Sequence, residues 1–182
     1  MRALVYHSSH EVSVDTVPDP ALREPDDIIV RVTSTAIDGA DLHLYHGKVP
    51  ELYDGAILGH EFMGEIVEAG RGVALPVGTR VVVPSVLACG SCYFCRRQLF
   101  AACETSNPES GPLARRKAVR PGAALFGCGH LHGGLPGGQA EYVRVPKANV
   151  GPLAVPPEPS DAQLLFLGDT LASAYQAVLD AG

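Results

Sequence analysis

Four cysteines crowd into one short segment, Cys89-Gly-Ser-Cys92-Tyr-Phe-Cys95, followed seven residues later by Cys103. Two-residue spacers let one turning loop aim three thiolates at a single point, and the longer excursion returns a fourth. Zinc asks for such a set, at tetrahedral corners with Zn–S near ~2.3 Å. Four thiolates would repel one another without the ion, so metal binding and loop folding are coupled. A redox pair needs only two of these residues, so the density favours metal over redox chemistry. A closed shell of four sulfurs leaves no open coordination position, and this zinc is expected to be structural. The remaining cysteine, Cys128, is expected to be a small buried hydrophobe.

The rest of the chain reads as strands and turns. Its 182 residues are 46% hydrophobic and suffice for one core. The 20 Gly and 15 Pro favour short strands over long helices. A net charge of -6 argues against nucleic-acid and anionic-membrane partners. The opening MRALVYHSSHEV does not read as a signal peptide, and no apolar run approaches the roughly 20 residues of a membrane span. A cytoplasmic location is expected. There the cysteines stay reduced and available to metal.

Ile28, Val30 and Val32 alternate with Ile29, Arg31 and Thr33, the period of a half-buried strand. Further strands are expected at 3–6, 12–17, 64–70, 80–84 and 141–145. Frequent turns and few crossover helices predict a mainly β fold, a small, partly open barrel. Pro156, Pro157 and Pro159 make a stiff connector, and Ser160 with Gln163 fits a helix-opening capping box. The segment that follows is expected to be helical, with a break at Gly168-Asp169 and Gly182 suited to a C-cap. The organisation expected is a zinc-binding domain over 1–155, with a zinc lobe at 84–110, then a helical connector over 156–182.

A second cluster of metal-binding residue types is scattered. His60 and Glu61 follow Gly59, Asp38, Asp41 and His43 lie about twenty residues earlier, and Asp169 lies far downstream. Two carboxylates and an imidazole can hold zinc with a fourth position open, as catalytic zinc requires. Simpler roles compete. Asp38-Gly39 is a common turn pair, Asp169 suits a helix N-cap, and a single His is more often structural than a ligand.

Four stretches together resemble zinc-dependent alcohol dehydrogenases of the medium-chain superfamily: 38–47, 58–67, the cysteine cluster and 137–146. The last, with Phe166-Leu-Gly-Asp-Thr170, is most similar to the branch containing glutathione-independent formaldehyde dehydrogenase. The resemblance runs in order along the whole chain. It implies a GroES-like barrel, with Asp38, His60 and Asp169 as catalytic zinc ligands. It also implies Glu61 as a carboxylate able to approach the metal, Asp41 as support for the zinc histidine, and His43 as a proton-relay position. Two departures stand out. Asp38 occupies a position where the family usually has Cys, and a harder donor set discriminates less among divalent ions. Ala40 occupies a position where a Ser or Thr hydroxyl normally bonds the substrate alcohol, and alanine cannot pass a proton.

The resemblance further implies NAD or NADP, bound by a second domain of Rossmann type. The nearest match to its G-x-G-x-x-G fingerprint is Gly127-Cys-Gly129-His-Leu-His-Gly133, where His132 fills a glycine position and no clear helix follows. A Rossmann domain is therefore not expected within this chain, and the barrel is expected to be incomplete. The functions left open are three. The chain is part of an alcohol or aldehyde oxidoreductase whose nucleotide-binding half or oligomeric partner is supplied separately, a non-catalytic zinc-stabilised module, or a site for zinc-dependent chemistry without nicotinamide.

Overall fold

The computed structural model describes residues 1–49, 52–107 and 122–182. Val-rich and Ile-rich runs separated by Gly and Pro produce ten strands among these residues, and every pairing between them is antiparallel. β1 (Arg2–Ser8) sits between β2 (Glu11–Thr16) and β4 (Ala56–Ile57). A five-stranded sheet runs in the order β10 (Leu153–Ala154), β6 (Arg80–Val83), β5 (Phe62–Ala69), β3 (Ile28–Thr35), β9 (Tyr142–Val145). β7 (Val86–Leu87) pairs with β8 (Ala124–Leu125) beside the cysteine segment.

One stretch of chain joins the first two sheets. Residues 137–139 bond along 57–59: Gly137 N–H donates to Ile57 O at 2.9 Å, and Gln139 N–H to Leu58 O at 2.9 Å. Leu4 N–H donates to Gln139 O at 2.8 Å, and two residues on Val32 N–H donates to Glu141 O at 2.9 Å. The chain thus passes from the edge of β1 to the edge of β3, curling the sheets into a partly closed barrel. The seam is tight. A Cβ on Gly137 would lie 2.1 Å from Leu58 O, so only glycine fits.

Ile28, Val30, Phe62, Ile66, Val81 and Val143 fill the core, with the Phe62 and Phe126 rings edge-on at 5.3 Å. Strict alternation along β3 fails in one place. Ile29 is buried like its neighbours, where the register shifts between Ile29 and Val30.

Helix α1 (Gly39–Tyr45) follows β3. Beyond β10 come α2 (Asp161–Leu164), a 3-10 turn at Leu165–Gly168, and α3 (Thr170–Ala181), so the expected break falls at Gly168-Asp169. Ser160 N–H donates to Gln163 Oε1 at 3.2 Å and the Ser160 side chain faces the Gln163 amide, the two halves of the expected capping box. Arg80 staples this segment to the sheet through the Asp161 carboxylate and the carbonyls of Pro156, Pro157 and Pro159. Leu165 packs on Met63 and Val82. No residue of α3 is buried, and Leu171, Tyr175, Val178 and Leu179 expose an apolar stripe.

Candidate metal centres

The sulfurs of Cys89, Cys92, Cys95 and Cys103 all lie within 4.8 Å of one another, with Cys89–Cys95 at 3.9 Å and Cys92–Cys103 at 4.0 Å. A tetrahedron with Zn–S near ~2.3 Å has edges of about 3.8 Å, so the cage fits zinc closely. Backbone N–H groups face the sulfurs: Cys92 N–H donates to Cys89 Sγ at 3.3 Å, and Cys89 N–H to Cys103 Sγ at 3.4 Å. Burial opposes ionisation of Cys89. Hydrogen bonds from Thr105 and from the Ser91 and Cys92 amides overcome it and bring the thiol down to about 5. Burial pushes Cys95 up to about 12. The cage alone therefore does not hold four charged sulfurs together, and a divalent cation would supply the missing compensation. Part of the expected lobe, residues 108–110, lies outside the described residues.

A second cluster forms where β3 ends beside the start of β5. Ala36 N–H donates to Glu61 O at 3.0 Å, and Thr35 Oγ1 to the same carbonyl at 3.0 Å. This pairing carries Asp38 to His60. His60 Nε2 lies 3.3 Å from Asp38 Oδ2 and 3.5 Å from Asp169 Oδ2. Three residues far apart in sequence converge on one ring nitrogen. His60 is buried, while the Asp38 and Asp169 side chains retain 29% and 31% exposure, so the cluster opens to solvent on their side.

Asp38 does two things at once. Its Oδ1 accepts from Ala40 N–H at 2.8 Å and Asp41 N–H at 3.2 Å, capping α1, while its Oδ2 faces His60. Capping and ligation therefore do not compete. Asp169 is arranged differently. It precedes α3 but caps no backbone amide with its side chain; its Oδ1 accepts from Ser173 Oγ at 3.1 Å. The first amide of α3, Thr170 N–H, instead donates to Glu61 Oε1 at 2.9 Å. Glu61 takes the capping duty and leaves Asp169 Oδ2 free to face His60.

Asp41 is buried behind the ring, its Oδ1 4.0 Å from His60 Nδ1. Its Oδ2 accepts from Asp38 N–H at 3.1 Å and Gln139 Nε2 at 3.1 Å. Burial, aided by the Asp38 carboxylate, pushes the Asp41 carboxyl above its usual range, against the Asp38 amide and His60. Asp41 Oδ1, His60 Nδ1 and Glu61 Oε2 are buried without a hydrogen-bond partner among the described residues. No Lys or Arg side chain pairs with Asp38, Asp41, Glu61 or Asp169 among those residues. Four carboxylates beside one imidazole with no basic side chain are short of positive charge, a deficit that a divalent ion would answer. Sequence spacing alone left this set unresolved; the geometry brings donor atoms of Asp38, Asp41 and His60 within 4.8 Å of one another and sets Asp169 against His60, while His43 stands apart.

His43 stands exposed on α1, its side chain bonded to no described residue. Gly127 approaches the cluster from another side: at φ 65, a Cβ there would sit 2.8 Å from Gly59 N, directly before His60. The same loop carries Cys128, expected from sequence to be a small buried hydrophobe. It is only half-buried. Burial, and then the charges of Asp41, Asp38 and Asp169, push its thiol up to about 12. No sequence spacing signals that proximity. An apolar cavity of about 220 Å³ lies between α1 and the β1–β2 hairpin, with Leu42, Tyr45, Leu4 and Val12 in its wall.

Residues 24–156 match the alcohol dehydrogenase GroES-like domain. The chain belongs to that family. The whole of this GroES-like chain is 42% identical to an uncharacterised zinc-type alcohol dehydrogenase-like protein of Bacillus subtilis, covering 46% of that protein. It is 37% identical to a glutathione-independent formaldehyde dehydrogenase of Pseudomonas aeruginosa, covering 45% of it. Among solved structures, the alcohol dehydrogenase TADH of Thermus sp. ATN1 superposes with a TM-score of 0.86 at 39% identity, over 99% of this chain and 47% of that one. The chain thus spans a little under half the length of these relatives. Among its described residues, no helix is long and apolar enough to cross a membrane.

Proposed function

We propose that this GroES-like domain carries the catalytic metal of an oxidoreductase that interconverts a small alcohol and aldehyde, with NAD(P) held on a separate nucleotide-binding half. The supporting observation is the convergence of Asp38 Oδ2 and Asp169 Oδ2 on His60 Nε2 in an acidic, half-open cluster. In this reading Asp38, His60 and Asp169 are the metal ligands, and Cys89, Cys92, Cys95 and Cys103 hold a structural zinc. A divalent ion at the first site supplies Lewis acidity toward a hydroxyl or carbonyl oxygen.

The chain's own residues set the conditions. His60 must present Nε2 unprotonated to a metal, which places its proton on Nδ1, toward Asp41 Oδ1. The Asp41 carboxylate behind the ring favours that tautomer by charge, from 4.0 Å. Glu61 holds the start of α3, and with it Asp169, through Thr170 N–H. The exposed edges of Asp38 and Asp169 leave an approach for substrate. Ala40 offers only a methyl group, so a proton leaving the substrate travels by water toward solvent, with His43 as the exposed base on α1. Losing a positioned proton carrier is typically worth roughly 10²–10⁴-fold in rate, so turnover is expected to be slow.

Metal content by mass spectrometry tests the reading, on wild type, Asp38→Ala and Asp169→Ala. About two zincs per chain, falling to about one in both variants, supports it. NAD(P)-dependent alcohol oxidation on adding a nucleotide-binding half then completes the test. Ala40 also favours a second reading, a zinc-stabilised module without catalysis. One zinc in all three proteins and no turnover would select that module.

A further inference from the structure

We infer that the Asp38–His60–Asp169 centre accepts harder divalent ions, Mn2+ among them, while the four-cysteine cage retains zinc alone. The inference rests on the metal-centre reading above and concerns which ion that centre admits.

The two sites differ in donor chemistry. The cage offers four sulfurs and nothing else. The second site offers two carboxylate oxygens and one imidazole nitrogen, and Asp41 and Glu61 add buried negative charge behind them. Thiolate ligands favour zinc and copper(I), whereas carboxylate and water suit manganese, magnesium and calcium. Softness is the main reason a thiolate site rejects Mn2+, and this centre has none in its facing donors. Its open side leaves room for water ligands, which six-coordinate ions need and tetrahedral zinc does not. Zinc still binds more tightly to such a set in absolute terms. What shrinks is its margin. The Cys128 thiol feels the charges of Asp41, Asp38 and Asp169, so its contribution has to be tested directly.

The experiment titrates Mn2+ into full-length chain carrying one zinc equivalent, counting bound manganese by loss of the free-ion electron paramagnetic resonance signal. The expected result is saturation near one Mn2+ per chain with the cage zinc undisplaced. Asp169→Cys, which leaves the α1 cap intact, should weaken Mn2+ binding at least tenfold while a second zinc still binds. Cys128→Ser should leave Mn2+ binding unchanged. A chain that takes up two zincs but no Mn2+ overturns the inference and leaves the metal centre standing. So does Mn2+ binding that disappears in Cys128→Ser, because the sulfur would then be a donor. A chain that takes up one zinc and no Mn2+ overturns both.

Discussion

At the scale of single residues, the buried carboxylates fall into two kinds. Asp27 is fully buried, and its Oδ2 accepts from Arg144 Nη1 at 2.8 Å and from the Arg23 and Glu24 amides at 2.9 and 3.0 Å. Burial opposes its charge, but Arg144 and the two amides prevail and hold the carboxyl below the usual range. Asp41 goes the other way, because burial outweighs its donors. Each keeps a buried Oδ1 without a hydrogen-bond partner among the described residues, but only Asp27 has a cationic side chain on its other oxygen. A folded-state pKa below the unfolded one gives Asp27 a contribution that is present above about pH 4 and fades as pH falls through the folded value. Asp27→Asn should cost about 3 kcal/mol at pH 7, by stranding Arg144 and the carboxylate's donors. In urea unfolding, the gap from wild type should narrow below about pH 4. A gap that stays constant with pH would show that the charge is not what stabilises the site.

At the scale of elements, helix ends do the positioning. The Asp38 carboxylate caps α1 with one oxygen and faces His60 with the other. At α3 the duties are divided between Glu61, which caps, and Asp169, which faces the cluster. Glu61→Ala should therefore weaken metal binding at the Asp38–His60–Asp169 centre about 10–100-fold and speed hydrogen exchange at the Thr170 amide. Glu61→Gln keeps an acceptor oxygen and should largely restore both. Equal loss in the two variants would point instead to the Glu61 charge. With a structural zinc in its cage, the cysteine loop would be an element whose fold depends on its ion. Stripping the cage with a strong chelator, or replacing Cys103 with Ser, should cost at least about 3 kcal/mol. By calorimetry that is a fall of about 6–12 °C in Tm for a chain of this size.

At the scale of the whole molecule, the seam between the sheets sets the geometry of the centre. Residues 137–139 bond to 57–59 immediately before His60, and the Gln139 side chain reaches Asp41. Gly137→Ala places a Cβ against Leu58 O and must push the two strands apart. It should cost several kcal/mol, on the order of 3, and displace His60. Lower stability together with loss of the second zinc is the expected pair of readouts. A destabilised variant that still holds two zincs would show that the seam and the centre are independent. The apolar stripe on α3 belongs to the same scale. Leu171, Tyr175, Val178 and Leu179 lie exposed along it, and the relatives are more than twice as long as this chain.

Sequence alone determined what is local. The spacing of Cys89, Cys92, Cys95 and Cys103 specifies a cage because a loop of that length closes on a point whatever surrounds it. The strand periods, the opening at Ser160 and the break at Gly168-Asp169 were legible for the same reason, since each depends on residues within a turn or two of one another. Family resemblance pointed to Asp38, His60 and Asp169, but their spacing could not distinguish a ligand set from two helix caps and a stray histidine. Tertiary structure adds the proximity that spacing lacks. Sheet register lays β3 beside β5 and Leu165 against Met63 and Val82, and this brings separated side chains onto one nitrogen. It also moved the α3 cap to Glu61 and brought Cys128 within the field of the carboxylates. Those placements depend on which strand edges meet, a property of the folded chain that no local pattern encodes.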